Sequence, residues 1–259
     1  MMKKILLYLA CIILCNISIL AQNEWYEITS SIPVSYKSKL LSSANSEAIV
    51  QFDIEGFYFQ ETSAIVSKSK IISVPKSPQI MEKGMPDLPK LTASIVIPNK
   101  NSIKCEIVFS NYIEIADVNI APSKGNLYRD VNPDDIPFTY NNVYQQNEWY
   151  PNKLVDISEP YIIRDTRGIV ISAYPFQYNP VKKVLRIYYS LTVKVFEIED
   201  ENAINELSNS SIRQNEDFNY LYKHHFLNYS TKKYTPLKER GRILVIAYDE
   251  YAPYMQDYV

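Results

Sequence analysis

Lys183-Val184-Leu185-Arg186-Ile187-Tyr188-Tyr189-Ser190-Leu191-Thr192-Val193-Lys194-Val195 decides the fold, because its side chains repeat with a period of two. Leu185, Ile187, Tyr189, Leu191, Val193 and Val195 share one parity, and Arg186 and Lys194 take the other, the pattern of a strand over 183–198 with one face on a core. Outward from it the same period recurs. Ile49 to Ile54 reads as a strand, Gly56 as a bend, and Phe57-Tyr58-Phe59 as the next strand. Further strands are expected at 64–75, 91–98, 103–109, 112–120, 161–165 and 168–174. Turns such as Val74-Pro75 and Tyr178-Asn179-Pro180 separate them. Many short alternating strands without intervening helices predict a mainly β fold, an antiparallel β-sandwich from about residue 45.

The composition supports a folded domain. Of 259 residues, 46% are hydrophobic and 22% charged, the balance of a globular chain and not of a disordered one. Lys and Arg number 27 against 29 Asp and Glu, a net charge of -2, so the chain lacks the basic surplus that nucleic acid would require. Tyr alone accounts for 22 residues, which favours strands. Residues 1–21 read as a secretory signal peptide: Lys3 and Lys4, then the apolar run Ile5 to Cys15, then a small-residue cleavage point at Ala21-Gln22. The run is too short and too broken for a membrane span, so none is expected after cleavage. Export would leave Cys105 as the one cysteine. It alternates with Ile103 and Ile107 and reads as a small core residue rather than a nucleophile.

Two segments break the period. Ala121 to Trp149 contains Pro122, Gly125, Pro133 and Pro137 with little alternation, and connections of that length in a compact domain are usually functional. From Asn215, the residues Phe218, Leu221, Tyr222, His225, Phe226 and Tyr229 recur at helical spacing, which predicts an amphipathic helix closing the domain. A polar stretch, Ser230 to Arg240, follows. Ile243-Leu244-Val245-Ile246-Ala247 then forms an apolar run of the kind found in buried parallel strands, and Tyr251 to Val259 is compatible with a helix. These last elements read as the start of an α/β domain that continues beyond the sequence shown.

No phosphate loop, zinc spacing or calcium loop occurs. His224 and His225 diverge by about 100° on a helix and cannot converge on one metal. His225 is expected on the apolar stripe and His224 in solvent. Asp134-Asp135 beside Pro133 reads as a turn, and Asn209 and Asn228 head glycosylation-type triplets of low specificity. The residues alone supply no catalytic set.

Several strings resemble the precursors of gingipains, secreted bacterial cysteine endopeptidases. They are KGMPDLP (Lys83 to Pro89), IAPSKG (Ile120 to Gly125), NPDDIP (Asn132 to Pro137), IIRDTRG (Ile162 to Gly168), QYNP (Gln177 to Pro180), LRIY (Leu185 to Tyr188), NYSTKKYTP (Asn228 to Pro236) and GRILVIA (Gly241 to Ala247). Their collinear order covers roughly residues 45–259 and looks nearest to the arginine-specific members. The resemblance implies a signal peptide over 1–21 and, over 22–233, an inhibitory and chaperone-like prodomain. The beginning of a caspase-like peptidase domain would follow over 234–259, its catalytic His and Cys further along. The partner implied is that peptidase domain, with any calcium belonging to it, and the destination is the periplasm and then the cell surface or medium.

The resemblance further implies an activation cut at Lys233–Tyr234 and a basic residue on the long loop that plugs the specificity pocket. Arg129 matches that position, with Lys124 the runner-up. Close relatives carry Arg before the cut where this chain has Lys233, so preference for Arg or Lys stays open. Arg164, Asp165, Arg167 and Gly168 also match a family string and read as structural, Gly168 serving a turn and the charges pairing locally. The competing reading is a stand-alone secreted sandwich that binds a cell surface or carbohydrate through Tyr144, Trp149 and Tyr150. A third reading would make Cys105 catalytic.

Overall fold

The computed structural model describes residues 23–44, 46–62, 68–200, 202–208 and 216–230, with isolated positions 248, 250, 251 and 254. β12 (Val184–Ile198) is its central strand. One edge pairs along nearly its whole length with β7 (Ser102–Ile115). The other edge is divided between β11 (Phe176–Asn179) and β3 (Glu47–Asp53), and β2 (Lys37–Ser43) lies outside β3. Register shifts at Tyr188/Ser190 and Thr192/Val193 leave most of the parity read from the sequence intact: Leu185, Ile187, Leu191, Val193 and Val195 are buried, but at the first shift Tyr188 takes the buried place expected of Tyr189, which is half-buried.

A second sheet pairs β6 (Leu91–Val96) with β10 (Thr166–Ala173). The far edge of β10 is shared by β8 (Val155–Ile157) and β9 (Tyr161–Ile163). A third comprises β1 (Asn23–Glu27), β4 (Gly56–Thr62) and β5 (Ser69–Ser73). The strand pairs in all three sheets are antiparallel, and their inner faces meet in one hydrophobic core. Phe52 of β3, Phe57 of β4, Ile72 of β5, Leu91 of β6 and Ile171 of β10 lie in it together with the β12 row. Each such side chain contributes about 1.5–3 kcal/mol through burial. Gly56 does more than bend the chain, because the Trp25 ring lies where its Cβ would stand, 2.3 Å away.

The structure corrects several expectations. The strands read at 103–109 and 112–120 are one strand, β7, which runs through Asn111 because β12 shifts register opposite it. It ends at Ile115, before Asp117 turns the chain with a φ of +56°. Of the strand expected at 64–75, Ser69–Ser73 is seen, and 63–67 lies outside the described residues. β1, β2, β8 and β11 were not expected. β2 is an edge strand whose Lys and Ser residues leave it largely exposed, so it has no strong alternation to read.

Gly168 does not sit in a turn. It lies within β10, where a Cβ would stand 2.4 Å from the Phe226 ring, so its bareness makes room for that ring. The turn is made by Arg164, which takes a φ of +54°, and Asp165, which accepts a hydrogen bond from the Tyr222 hydroxyl. Arg167 does not pair in the turn but points inward, fully buried. Its Nη1 donates in shared fashion to the carbonyls of Pro98, Lys100 and Asn101 at 2.8–3.0 Å, and its Nη2 to that of Ile204 at 2.8 Å. It thereby sews residues 98–101 and 204 to the second sheet.

The closing helix, α1 (Glu216–His225), is present. Its buried row is narrower than the sequence suggests: Tyr222 and, just past the helix, Phe226 are buried, while Leu221 and His225 are exposed. The His225 ring instead lies 2.8 Å from the Tyr161 hydroxyl. Beyond α1 the chain docks on β6. Leu227 donates to Ser94 at 2.9 Å, and the Asn228 amide both accepts from the Val96 N–H (2.7 Å) and donates to the Val96 carbonyl (2.9 Å). That amide acts as one more rung of the sheet, which leaves it unsuited to carry a glycan.

Residues 1–22, the bond Lys233–Tyr234 and the run Ile243 to Ala247 lie outside the described residues, as does most of the expected helix from Tyr251. Among the described residues no helix is long and apolar enough to cross a membrane. Replacing Arg167 by Met would strand carbonyls that now share one cation. We expect a loss of about 2–4 kcal/mol, read as a lower urea midpoint with an unchanged slope.

Candidate functional site

The segment after Ile115 has the Pro and Gly content of a loop, yet both of its roots are held by backbone hydrogen bonds. The outgoing leg runs beside β5: Lys70 donates to Asn119 at 2.8 Å and Ala121 donates to Lys70 at 2.9 Å. It then runs beside residues 79–90, with bonds from Asp87 to Ala121 (2.9 Å), Ser123 to Met85 (2.7 Å) and Gly84 to Ser123 (2.9 Å). The return leg bonds at the same glycine, Asn141 donating to Gly84 at 2.9 Å. Gly84 adopts a φ of +81°, which an L side chain rarely takes, and so presents its N–H to one leg and its C=O to the other. Further back, the Tyr144 hydroxyl donates to Ile120 at 3.0 Å and Tyr150 exchanges backbone bonds with Tyr178 at 2.7 and 2.9 Å.

Between these roots the loop carries its own order. Asn132 caps a 3-10 turn over Pro133–Asp135, and Asn141 caps another over Asn142–Gln145. Asp134 and Asp135 are therefore exposed turn residues, as read from the sequence. Tyr128 accepts a hydrogen bond from the Val131 N–H at 3.2 Å, which closes a β-turn with Arg129 and Asp130 at its corner.

The two basic candidates differ in what they touch. Arg129 is exposed at the turn, beside Tyr128 at 84% exposure, and no hydrogen-bond or ion-pair partner holds it among the described residues. Lys124 is half-buried: its Nζ donates to the Pro133 carbonyl at 2.6 Å and lies 4.5 Å from the Phe138 ring centre. The geometry thus presents Arg129 outward and turns Lys124 back into the loop.

The other candidates are structural. Tyr150 is buried and donates to Glu82 at 3.1 Å, Tyr144 is tied to Ile120, and Arg186 stacks 4.0 Å over Trp149 while pairing with Glu114. The three aromatics pack the loop onto the sandwich and form no open platform. Cys105 is half-buried, and burial followed by the nearby charge of Asp156 pushes its thiol up, the opposite of what a nucleophile needs. His224 is exposed, its Nδ1 lying 2.7 Å from the Tyr220 carbonyl.

Sequence reasoning missed Asp87. It sits where residues 79–90 meet the outgoing leg, its Oδ1 buried and without a hydrogen-bond partner. Burial pushes its carboxyl up to about 6. Tyr144 and Tyr150 feel its charge, and burial raises both of their hydroxyls. The motif Met85-Pro86-Asp87-Leu88 marks the place in the sequence, but not the burial.

Residues 35–235 match the family model Propeptide_C25. Gingipain R2 of Porphyromonas gingivalis is 38% identical over 225 residues, an alignment covering 85% of this chain and 30% of that protein. Gingipain R1 of the same organism is 36% identical over 224 residues, covering 85% and 22%. The chain thus spans less than a third of these relatives. Among solved structures, one from the complex of the Porphyromonas gingivalis RgpB pro- and mature domains superposes with a TM-score of 0.66 at 36% identity, covering 74% of this chain and 98% of that one. A chain from a study of the zymogenic latency of gingipain K from the same organism, 14% identical, shares the fold with a TM-score of 0.57, covering 69% and 100%.

The raised Asp87 carboxyl has a defined linkage. The folded chain holds this proton up to about pH 6 and the unfolded chain only to about 3.8, so the contribution favours folding below about pH 4 and is lost as pH rises through 6. Asp87→Asn should therefore gain stability over the parent as pH climbs from 4 to 7, by about 1–3 kcal/mol. Urea midpoints at four pH values check this, and a difference that stays constant with pH would refute it.

Proposed function

This chain belongs to the Propeptide_C25 family, and on that premise we propose that it keeps a gingipain-type cysteine endopeptidase latent, as the amino-terminal part of the same polypeptide. The observation that carries the reading is Arg129, exposed on a turn at the tip of a loop whose two roots are bonded to the sandwich. A guanidinium delivered into an arginine-specific pocket would meet a carboxylate in a desolvated setting, where paired charge-assisted hydrogen bonds are strongest. Lys124 lacks that freedom, since its ammonium is engaged with Pro133 and Phe138.

In this reading residues 1–21 direct export and are removed at Ala21–Gln22. Residues 22–233 form the prodomain, which guards the peptidase and assists its folding, and 234–259 open the peptidase domain. Activation at Lys233–Tyr234 falls shortly after Asn228, which is clamped to β6, so the cut would leave α1 with the prodomain. The chain would act outside the inner membrane, in the periplasm or at the cell surface.

Arg129→Ala should raise the inhibition constant against an arginine-specific gingipain added in trans by about 30- to 1,000-fold, equivalent to roughly 2–4 kcal/mol. An unchanged constant would remove Arg129 from the mechanism. N-terminal sequencing of the activated protein should begin at Tyr234, and any other start refutes the Lys233 cut.

A further inference from the structure

A loop that offers an arginine to an arginine-specific peptidase faces a second problem, because the bond after that arginine is the one such an enzyme hydrolyses. Peptides are usually gripped in extended form, with main-chain hydrogen bonds along an edge. Four extended residues span about 10 Å, whereas the ends of a β-turn lie within about 7 Å. Here the Val131 N–H to Tyr128 carbonyl bond holds the Arg129–Asp130 peptide in such a turn. The side chain can enter a pocket while the backbone keeps the wrong shape for cleavage.

We propose that Lys124 is the positioning residue that keeps this turn closed, so that the loop acts as an inhibitor and not as a substrate. Its ammonium donates to the Pro133 carbonyl at 2.6 Å, which joins the leg before the turn to the leg after it. The Phe138 ring covers the cation at 4.5 Å and partly shields the bond from water. Asp130, Asp134 and Asp135 share the loop, yet the hydrogen bond goes to a main-chain carbonyl, an anchor that fixes the path of the backbone. Both ends of the brace are themselves held. Gly125, at a φ of +86° against Lys83, sets the direction of the chain after Lys124, and Asn132 caps the 3-10 turn that Pro133 begins. Stretching residues 128–131 into extended form would pull these legs apart and break the brace.

The inference rests on the latency reading for its purpose, but its test does not. The full chain is treated with an arginine-specific serine endopeptidase unrelated to gingipains, and the fragment beginning at Asp130 is followed by mass spectrometry. Lys124→Met should release it about tenfold faster than the parent, the factor that loss of one charge-assisted hydrogen bond allows. Cleavage after Arg167, which is fully buried, serves as the internal measure of global unfolding. Equal rates after Arg129 in parent and Lys124→Met overturn the proposal, and so does an increase matched at Arg167. Failure of the latency reading would show separately, as an Arg129→Ala variant that inhibits a gingipain as well as the parent does.

Discussion

The backbone of Gly84 donates to Ser123 and accepts from Asn141, and those two bonds give fixed ends to a segment that has almost no regular structure of its own. Without them the loop would be a long closure between β7 and β8, free to sample many shapes and unable to present one side chain in one place. The positive φ at Gly84 makes the double contact possible, because the chain must turn sharply to show its N–H to one leg and its C=O to the other. Asp87, three residues on, continues the clamp with its N–H while burying one carboxyl oxygen, Oδ1, that no hydrogen bond satisfies. The hold on the loop therefore lies beside a polar atom left unpaired in the interior.

A similar economy of polar groups operates at the far end of the second sheet. The Arg167 guanidinium gathers carbonyls from residues 98–101 and from Ile204, and two elements that share no sheet ladder are joined by one side chain. Burial lowers its pKa, while Glu206 and Glu197 support its charge. Asn228 works alike, completing the open edge of β6 with a side-chain amide. Each device uses the fork geometry of a planar group to end a strand or loop that would otherwise leave main-chain groups dry and unpaired.

Several of these features were legible in the residues and others were not. β3, β4, β6, β10 and β12 were, because each buries one face and so carries a period of two. β1, β2 and β8 were not: they are short or exposed, and their pairing comes from the partner strand and not from their own pattern. Gly168 looked like a turn residue because it follows charged neighbours, but its reason for being glycine is Phe226, a contact made between distant parts of the chain. Arg129 and Lys124 are equivalent as isolated cations on a proline-rich loop. Only the Pro133 carbonyl and the Phe138 ring distinguish them.

By itself, then, the sequence determined that an all-strand body is built and that a long irregular segment leaves it, since alternation and its absence are local properties of the chain. It also determined the family, through strings whose order survives without any knowledge of their contacts. The tertiary structure decided which cation faces outward, where a carboxyl is buried and which glycine accommodates a ring. Those outcomes depend on groups far apart in the chain coming within a few ångströms, and no period or motif encodes such meetings.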